Sequence, residues 1–275
     1  MHNLLFRRQS SYAPITEIVS PANSDLQFLS LKWLRMDINN REIRFATGDQ
    51  EAVLDIFSGT VTLHVTRKDG SVTYSQIGHR LHVFDGKPTM VYISCNAQVT
   101  ILCDSENFEG ALVLATAAVE YDPVLIFPSE AESKVVGQDN WQRSVVTSVG
   151  DNVSANRLLV GETLNSPGNW SSSPPHKHDQ TSGEEAAMEE VYLYKMNPSQ
   201  GYGLQRVYTP KDDAEPFDVT YAVKDGDVVV LPRGYHPVVA APGYQLLYLW
   251  ALAGETRKYG AWTDDPEHSW IKGFR

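Results

Sequence analysis

The sequence predicts an all-β protein built from two β-barrel modules with little helix. Short alternating or β-rich runs dominate the chain, and helical periodicity is scarce. The pattern of the first half also recurs in the second half. Turn-forming pairs separate the runs, among them Ser58-Gly59, Asp69-Gly70, Asp225-Gly226 and Pro242-Gly243.

The strands of the first module are predicted in "EAVLDIFSGTVTLHV", "YSQIGHRLHVFDG" and "TMVYISCNAQVTIL". We expect residues 1–130 to form this N-terminal module, with short helices near residues 105–111 and 115–120. No H-x-H pair precedes Glu51, and "ISCNAQ" lacks a histidine. The first module is therefore predicted to be structural, without a metal site.

The second half repeats the order with "EEVYLYKMNPSQGYGLQRVY" and then "VKDGDVVVLPRGYHPVVAAPGYQLLYL". Each half reads as a strand, a turn, a strand, a glycine-containing turn and a closing hairpin, which indicates an internal duplication. We expect residues 155–275 to form the C-terminal module. The polar, poorly patterned residues 129–157 are predicted to connect the two.

Composition limits the partners that the protein can have. The 275 residues carry a net charge of -11 and no Lys/Arg block, so we expect neither nucleic-acid nor membrane binding. The apolar runs are too short or too interrupted for a signal peptide or a membrane span. Cys95 and Cys103 are expected to be buried free thiols, which favours the cytoplasm. The sequence also allows a homo-oligomer.

A candidate metal site lies in "SSSPPHKHDQTSGEEAAMEEVYLYK". His176 and His178 are two apart, so on a strand both side chains point to one face. A third histidine, His236, follows a turn at Pro232 and Gly234. Imidazoles with a carboxylate suit divalent transition metals, and four glutamates lie nearby: Glu184, Glu185, Glu189 and Glu190.

The spacing of these residues resembles the two motifs of the cupin superfamily, G-x5-H-x-H-x3,4-E-x6-G and G-x5-P-x-G-x2-H-x3-N. The chain departs from them in three places. The gap from Gly168 to His176 is longer, twelve positions separate His178 from Glu190, and one residue separates Gly234 from His236.

The departures themselves resemble one family, the 5-deoxy-glucuronate isomerases of bacterial myo-inositol catabolism. The resemblance covers most of the second half and is carried by "SSPPHKHD", "EEVYLYK", "GYGLQRVYT", "DGDVVVLPRGYHPVVAAPGYQLLYLWALAG" and "DDPEHSW". A related uronate ketol-isomerase of the pectin pathway shares H-x-H…E-V-Y and W-x-x-x-G-E, matched here by Trp250, Gly254 and Glu255.

The resemblance implies a bicupin, two jelly-roll modules of which only the C-terminal one is active. It implies a metal-dependent aldose-ketose isomerase of carbohydrate metabolism that converts 5-deoxy-D-glucuronate to 5-dehydro-2-deoxy-D-gluconate. The implied ligands are His176, His178, Glu190 and His236. Glu190 is preferred over Glu189 because the cupin ligand begins its strand and the related pectin-pathway enzyme has it directly before Val-Tyr. Zinc is the ion expected first, and manganese, iron or nickel would suit the same donors.

The uronate substrate carries a carboxylate, which an arginine matches as a planar two-pronged donor. Arg206 is the first candidate, with Arg233 and Lys177 as others. Glu190 and Tyr192 complete the predicted catalytic set, because Tyr192 shares its strand face with Glu190.

Two other functions would use the same histidines. An iron-dependent cupin oxygenase would consume oxygen. A non-catalytic sugar-binding cupin would bind a sugar tightly without turnover.

Overall fold

A computed structural model describes residues 3–8 and 13–273. Nearly all of its regular structure is β-strand, and the only helices in these residues are two short 3-10 helices, Asp139–Trp141 and Ser269–Gly273. No helix in the described part of the chain is long and apolar enough to cross a membrane. The all-β prediction is confirmed.

The strands are short and numerous. In the first half they are β1 (Leu5–Phe6), β2 (Ile15–Val19), β3 (Leu29–Met36), β4 (Glu42–Ala46), β5 (Gln50–Ser58), β6 (Val61–Arg67), β7 (Gly70–Ile77), β8 (Thr89–Ile93), β9 (Gln98–Cys103), β10 (Phe108–Thr116) and β11 (Val124–Ile126). In the second half they are β12 (Glu132–Val136), β13 (Arg143–Val149), β14 (Leu159–Asn165), β15 (Trp170–Ser171), β16 (His176–Lys177), β17 (Met188–Asn197), β18 (Tyr202–Tyr208), β19 (Asp218–Lys224), β20 (Val228–Leu231), β21 (Val238–Ala240), β22 (Gln245–Gly254) and β23 (Thr263–Asp264).

The helices predicted near residues 105–111 and 115–120 are wrong. Phe108–Thr116 forms β10, which lies between β5 and β3 in a six-stranded sheet of order β11-β8-β5-β10-β3-β2. Most of its side chains are buried on both faces, so its sequence shows no period of two. A short apolar run of this kind does not distinguish a strand from a helix.

The first module encloses its own hydrophobic core. A four-stranded sheet of order β4-β9-β6-β7 contributes side chains to the same buried cluster as the six-stranded sheet. Along β6 the residues alternate between this core and the outside, as expected for a strand with one wet face.

The second module repeats the arrangement with a seven-stranded sheet of order β1-β20-β17-β22-β14-β13-β12 and a four-stranded sheet of order β15-β21-β18-β19. The segment predicted as a plain connection, residues 129–157, contains β12 and β13, which extend the larger sheet. Strand β1 from the other end of the chain pairs with β20. The domain bounds at residues 130 and 155 stay a prediction.

The two larger sheets are related strand by strand. Ala115 pairs with Glu51 between β10 and β5, and Ala253 pairs with Glu189 between β22 and β17. Glu189 therefore occupies the position of Glu51, and Glu190 occupies the position of Ala52. The first module thus has an alanine where the second has the predicted metal-binding carboxylate.

The equivalent glutamates connect the modules reciprocally. Glu189 accepts hydrogen bonds from the backbone N–H groups of Gln27, Phe28 and Leu29, at 2.6, 2.8 and 2.6 Å. Glu51 accepts them from the N–H groups of residues 156, 157 and 158, at 2.7, 2.6 and 2.9 Å. Each carboxylate thereby satisfies donors next to the first residues of a strand, β3 or β14, in the other module.

Candidate metal centre

Three buried side chains of the second module converge on one point. His178 follows β16, Glu190 lies near the start of β17, and His236 follows the turn after β20. One ligand atom from each lies within 4.8 Å of the others, and no other such group of three occurs in residues 3–8 and 13–273.

The imidazole of His178 is held in a single orientation. Its Nδ1 lies 2.7 Å from the carbonyl oxygen of Met188, and the N–H of Met188 donates to the carbonyl of His178 at 2.8 Å. A carbonyl only accepts, so Nδ1 carries the proton. The other nitrogen, Nε2, faces Glu190 Oε2 at 3.2 Å and is the atom that would bind a metal.

His236 is oriented in the same way by its own turn. Its Nδ1 lies 3.0 Å from the carbonyl oxygen of Gly234, and its Nε2 lies 3.3 Å from Glu190 Oε2 without hydrogen-bond geometry. This side chain is only 1% exposed, so Nε2 is a buried polar atom without a partner. An orphaned nitrogen beside a carboxylate and a second Nε2 fits a divalent metal.

Gly234 is required by the backbone of that turn. Its φ is +92°, and a Cβ there would meet the carbonyl oxygen of Tyr208 at 2.6 Å. Its N–H donates to Asp179 Oδ2 at 2.7 Å, which connects the His236 turn to the loop after His178. Lys177 lies buried in the same loop and contacts Asp179 and Glu185 at 2.6 and 3.0 Å.

The electrostatics of the site keep two of its imidazoles neutral. Burial lowers the pKa of His236 to about 4, against an opposing effect of Glu190. Burial also holds the pKa of His176 well below its usual value, and His236 and His178 add to this. Burial acts in the same direction on His178, but the hydrogen bond and charge of Glu190 outweigh it and raise the pKa. Neutral imidazole is the metal-binding form.

His176 lies next to the group of His178, Glu190 and His236 but is not part of it. Its ring stacks on Trp262 at 5.0 Å and lies 4.9 Å from the ring of His236, centroid to centroid. Its Nδ1 lies 3.4 Å from the carbonyl oxygen of Pro174. The structure therefore brings together three of the four predicted ligands and places the fourth at their edge.

The two neighbouring glutamates of β17 point to opposite faces, as successive residues of a strand must. Glu190 faces the histidines, whereas Glu189 accepts the three backbone N–H groups of the other module. Glu185 is bound to Lys177, and Glu184 is exposed.

A cavity of about 260 Å³ lies beside the site and is lined by His176 and His178. Most of its wall is the inner face of the seven-stranded sheet, and it is lined by residues that include Arg143, Val145, Thr163, Glu190, Tyr192, Tyr248, Trp250 and Trp262. Tyr192 stands 4.3 Å from Tyr248 between ring centroids, and its hydroxyl lies 3.2 Å from Ser172 Oγ. Burial, then the charge of Glu190, holds the pKa of Tyr192 well above its usual value.

The predicted carboxylate-binding side chains lie elsewhere. Arg206 is partly exposed on β18, outside the cavity, and forms a two-pronged ion pair with Asp218. Arg233 pairs with Asp213 at 2.6 Å. The arginine in the cavity is Arg143, which sequence reasoning missed because it lies in the segment expected to be a connection.

Comparison with known proteins identifies relatives over almost the whole chain. The KduI/IolB family matches residues 4–271. A protein of Geobacillus thermodenitrificans named 5-deoxy-glucuronate isomerase is 37% identical over 270 residues, 95% of this chain and 94% of that protein. The Bacillus subtilis protein of the same name is 37% identical over 256 residues, 92% of this chain and 91% of its own length.

Solved structures agree with this assignment. An IolB-like protein from Salmonella typhimurium superposes with a TM-score of 0.90 at 31% identity, covering 98% of this chain and 99% of that one. Oxalate decarboxylase of Bacillus subtilis, a bicupin, superposes with a TM-score of 0.65 at 11% identity, covering 96% and 80%, and shares the fold alone. The predicted bicupin fold is confirmed, and the chain belongs to the KduI/IolB family.

Proposed function

We propose that this protein is a metal-dependent ketol-isomerase that converts 5-deoxy-D-glucuronate to 5-dehydro-2-deoxy-D-gluconate in inositol degradation. The observation that carries the proposal is the group formed by His178, Glu190 and His236, of which His178 and Glu190 line a cavity of about 260 Å³. The chain that holds this group is 34–39% identical to curated 5-deoxy-glucuronate isomerases.

The reaction needs no second substrate. The aldehyde at C1 becomes an alcohol while the hydroxyl at C2 becomes a carbonyl, so one hydrogen moves from C2 to C1 and one from the C2 oxygen to the C1 oxygen. The substrate is neither oxidised nor reduced overall. A small cavity lined by His178 and Glu190 suits such a rearrangement within a single molecule.

The protein's side chains would hold the ion in a defined way. His178 and His236 would bind through Nε2, because both Nδ1 atoms are committed to backbone carbonyls. Glu190 would supply the carboxylate oxygen between them, and we include His176 as the fourth ligand because its ring lines the same cavity. A divalent ion, zinc in our proposal, would supply Lewis acidity that polarises the carbonyl and stabilises developing negative charge.

Tyr192 is suited to donate a hydrogen bond to the reacting oxygens. It lies two residues after Glu190 on the same face of β17, and its ring is 6.0 Å from that of His236. A tyrosine hydroxyl is protonated at neutral pH, and burial with the charge of Glu190 raises the pKa of Tyr192 further. A protonated hydroxyl held in place by its strand stabilises an oxyanion better than water does, since its dipole is already oriented.

The cytoplasm is the compartment that we propose. Cys95 and Cys103 are both free and buried, as thiols are in a reducing compartment.

The proposal is tested by following 5-deoxy-D-glucuronate by NMR with the purified protein. We expect conversion to the 2-ketose by the wild type, a loss of about a hundredfold or more in His236→Ala, and full activity in His82→Ala. The control makes the same change at an exposed histidine of the first module. No conversion by metal-loaded wild-type protein would refute the proposal, and oxygen consumption would indicate an oxygenase instead.

A further inference from the structure

Arg143 places a positive charge at the wall of the cavity. It is the first residue of β13 and pairs with Val136 on one side and Asn165 on the other. Arg143 and Val145 are two apart on this strand, so their side chains share its inner face, and both line the cavity that contains Glu190.

The guanidinium of Arg143 lies over the ring of Trp141, with Cζ 6.0 Å from the ring centroid, and its hydrogen-bond donors are only partly occupied. Its Nη1 donates to the carbonyl oxygens of Trp141 and Ser173, both at 3.3 Å. Its Nε and Nη2 donate to no residue that the structure describes. Both atoms are accessible from the solvent, since neither is among the fully buried polar atoms that lack a partner. That free edge is the side-on face of the guanidinium fork, which binds both oxygens of a carboxylate at once.

The chain shows this geometry at another arginine. Arg206 binds Asp218 through Nε at 2.9 Å and Nη2 at 2.7 Å. Arg143 has the same edge open and forms no ion pair with any carboxylate in residues 3–8 and 13–273. A half-buried arginine normally pairs with an anion, because burying a lone charge is unfavourable.

No protein carboxylate in the cavity takes that role. Glu190 is the only carboxylate among its lining residues, and its Oε2 faces His178 and His236. Lys134, the other cation at the wall, is exposed and paired with Glu132. The cavity is therefore lined by part of a metal-binding group and, separately, by an arginine whose side-on edge no protein carboxylate contacts.

We propose that Arg143 binds the carboxylate of the uronate substrate while the hydroxy-aldehyde end lies against His178, Glu190 and His236. This inference rests on the proposed function and adds the basis of substrate specificity. A sugar acid is bound in preference to the neutral sugar because only the acid has a carboxylate that can occupy the free edge of Arg143. Arg206, Arg233 and Lys177 are already bound to carboxylates of the protein.

The test compares Arg143→Met and Arg143→Lys with the wild type. The substrates are 5-deoxy-D-glucuronate and the corresponding 5-deoxyhexose, in which a hydroxymethyl group replaces the carboxylate. We expect Arg143→Met to raise KM for the uronate about tenfold to a hundredfold with a smaller effect on kcat. The kcat/KM of Arg143→Met for the neutral sugar should stay unchanged. The KM of Arg143→Lys for the uronate should lie between those of the wild type and Arg143→Met. Metal content should match the wild type, and the melting temperature should change little, because the substitution removes only two hydrogen bonds of 3.3 Å.

Either of two outcomes with Arg143→Met would overturn the inference. One is a KM for the uronate within twofold of the wild type in Arg143→Met. The other is an equal loss on both sugars, which would mean that Arg143 only supports the wall through Trp141 and Ser173. Arg206→Met tests the rival arginine, and a rise in KM there instead of at Arg143 would also contradict the inference.

A binding measurement separates this inference from the proposed function. Calorimetric titration of the metal-loaded protein with D-glucuronate and with D-glucose needs no turnover. We expect the wild type to bind the acid more tightly than the neutral sugar and Arg143→Met to lose that preference. If the wild type fails to isomerise but keeps the preference, only the proposed function fails; if the wild type shows no preference, the inference on Arg143 fails.

Discussion

Replacing Glu189 or Glu190 by glutamine separates stability from metal binding, although the two residues are adjacent. Glu190 faces His178 and His236, so Glu190→Gln removes the only carboxylate of the metal-binding group. We expect it to lose bound metal and keep its fold. Glu189 faces the other module and accepts three backbone N–H groups, so Glu189→Gln should keep its metal and lose stability.

The loss in Glu189→Gln can be estimated from its contacts. Both oxygens of Glu189 accept, and a glutamine retains only one acceptor oxygen, so about one or two buried N–H groups lose their partner. A hydrogen bond to a charged group contributes about 1.5–3 kcal/mol. Burial raises the pKa of Glu189, which indicates that the cost of desolvating this carboxylate offsets part of the stabilisation by its three hydrogen bonds. We therefore expect a loss of about 2–4 kcal/mol, or roughly 5–10 °C in melting temperature.

The assay is metal content after dialysis together with thermal unfolding, both measured on the two variants side by side. Loss of metal in Glu189→Gln with retention in Glu190→Gln would refute the orientation of β17. Equal melting temperatures of Glu189→Gln and wild type would show that the three N–H contacts contribute little.

Three further predictions concern other residues. Glu51→Gln should destabilise the protein at least as much as Glu189→Gln without changing metal content, since Glu51 accepts the equivalent three backbone N–H groups and also the hydroxyl of Tyr92 at 2.9 Å; a clearly smaller shift in thermal unfolding would count against the reciprocal arrangement. Gly234→Ala should weaken metal affinity in a competition titration, because its Cβ would meet the carbonyl of Tyr208, whereas Gly243→Ala, with a φ of +84° and open space, should not. Tyr192→Phe should reduce kcat about a hundredfold and keep its metal; unchanged kcat would exclude the proposed hydrogen bond.

Much of the fold could be predicted because a half-buried strand leaves a clear pattern. β6 alternates between core and outside, and glycine-containing turns separate most of the strands. Strand β10 could not be recognised because it is buried on both faces. The contribution of β12 and β13 was missed because β12, at the edge of the sheet, is mostly exposed and β13, beside it, begins with half-buried residues.

The metal-binding residues could be predicted because they belong to a sequence motif. The arginine of the cavity could not, because only the fold brings it to the cavity. His178 and His236 were found through their spacing, and the structure brings them together with Glu190. Arg206 was chosen as an arginine on a strand near the motif, but its side chain turns outward to Asp218. Nothing in the sequence shows that Arg143, more than thirty residues before His176, lines the same cavity as His176 and His178.

The central claim is that one metal ion held by this group is required for isomerisation. The most direct test is a titration of metal into chelator-stripped protein, in which bound metal per chain and turnover of 5-deoxy-D-glucuronate are measured at each step. We predict no turnover without metal and activity that rises in proportion to bound metal up to one ion per chain. Full turnover by protein shown to contain no metal would contradict the account.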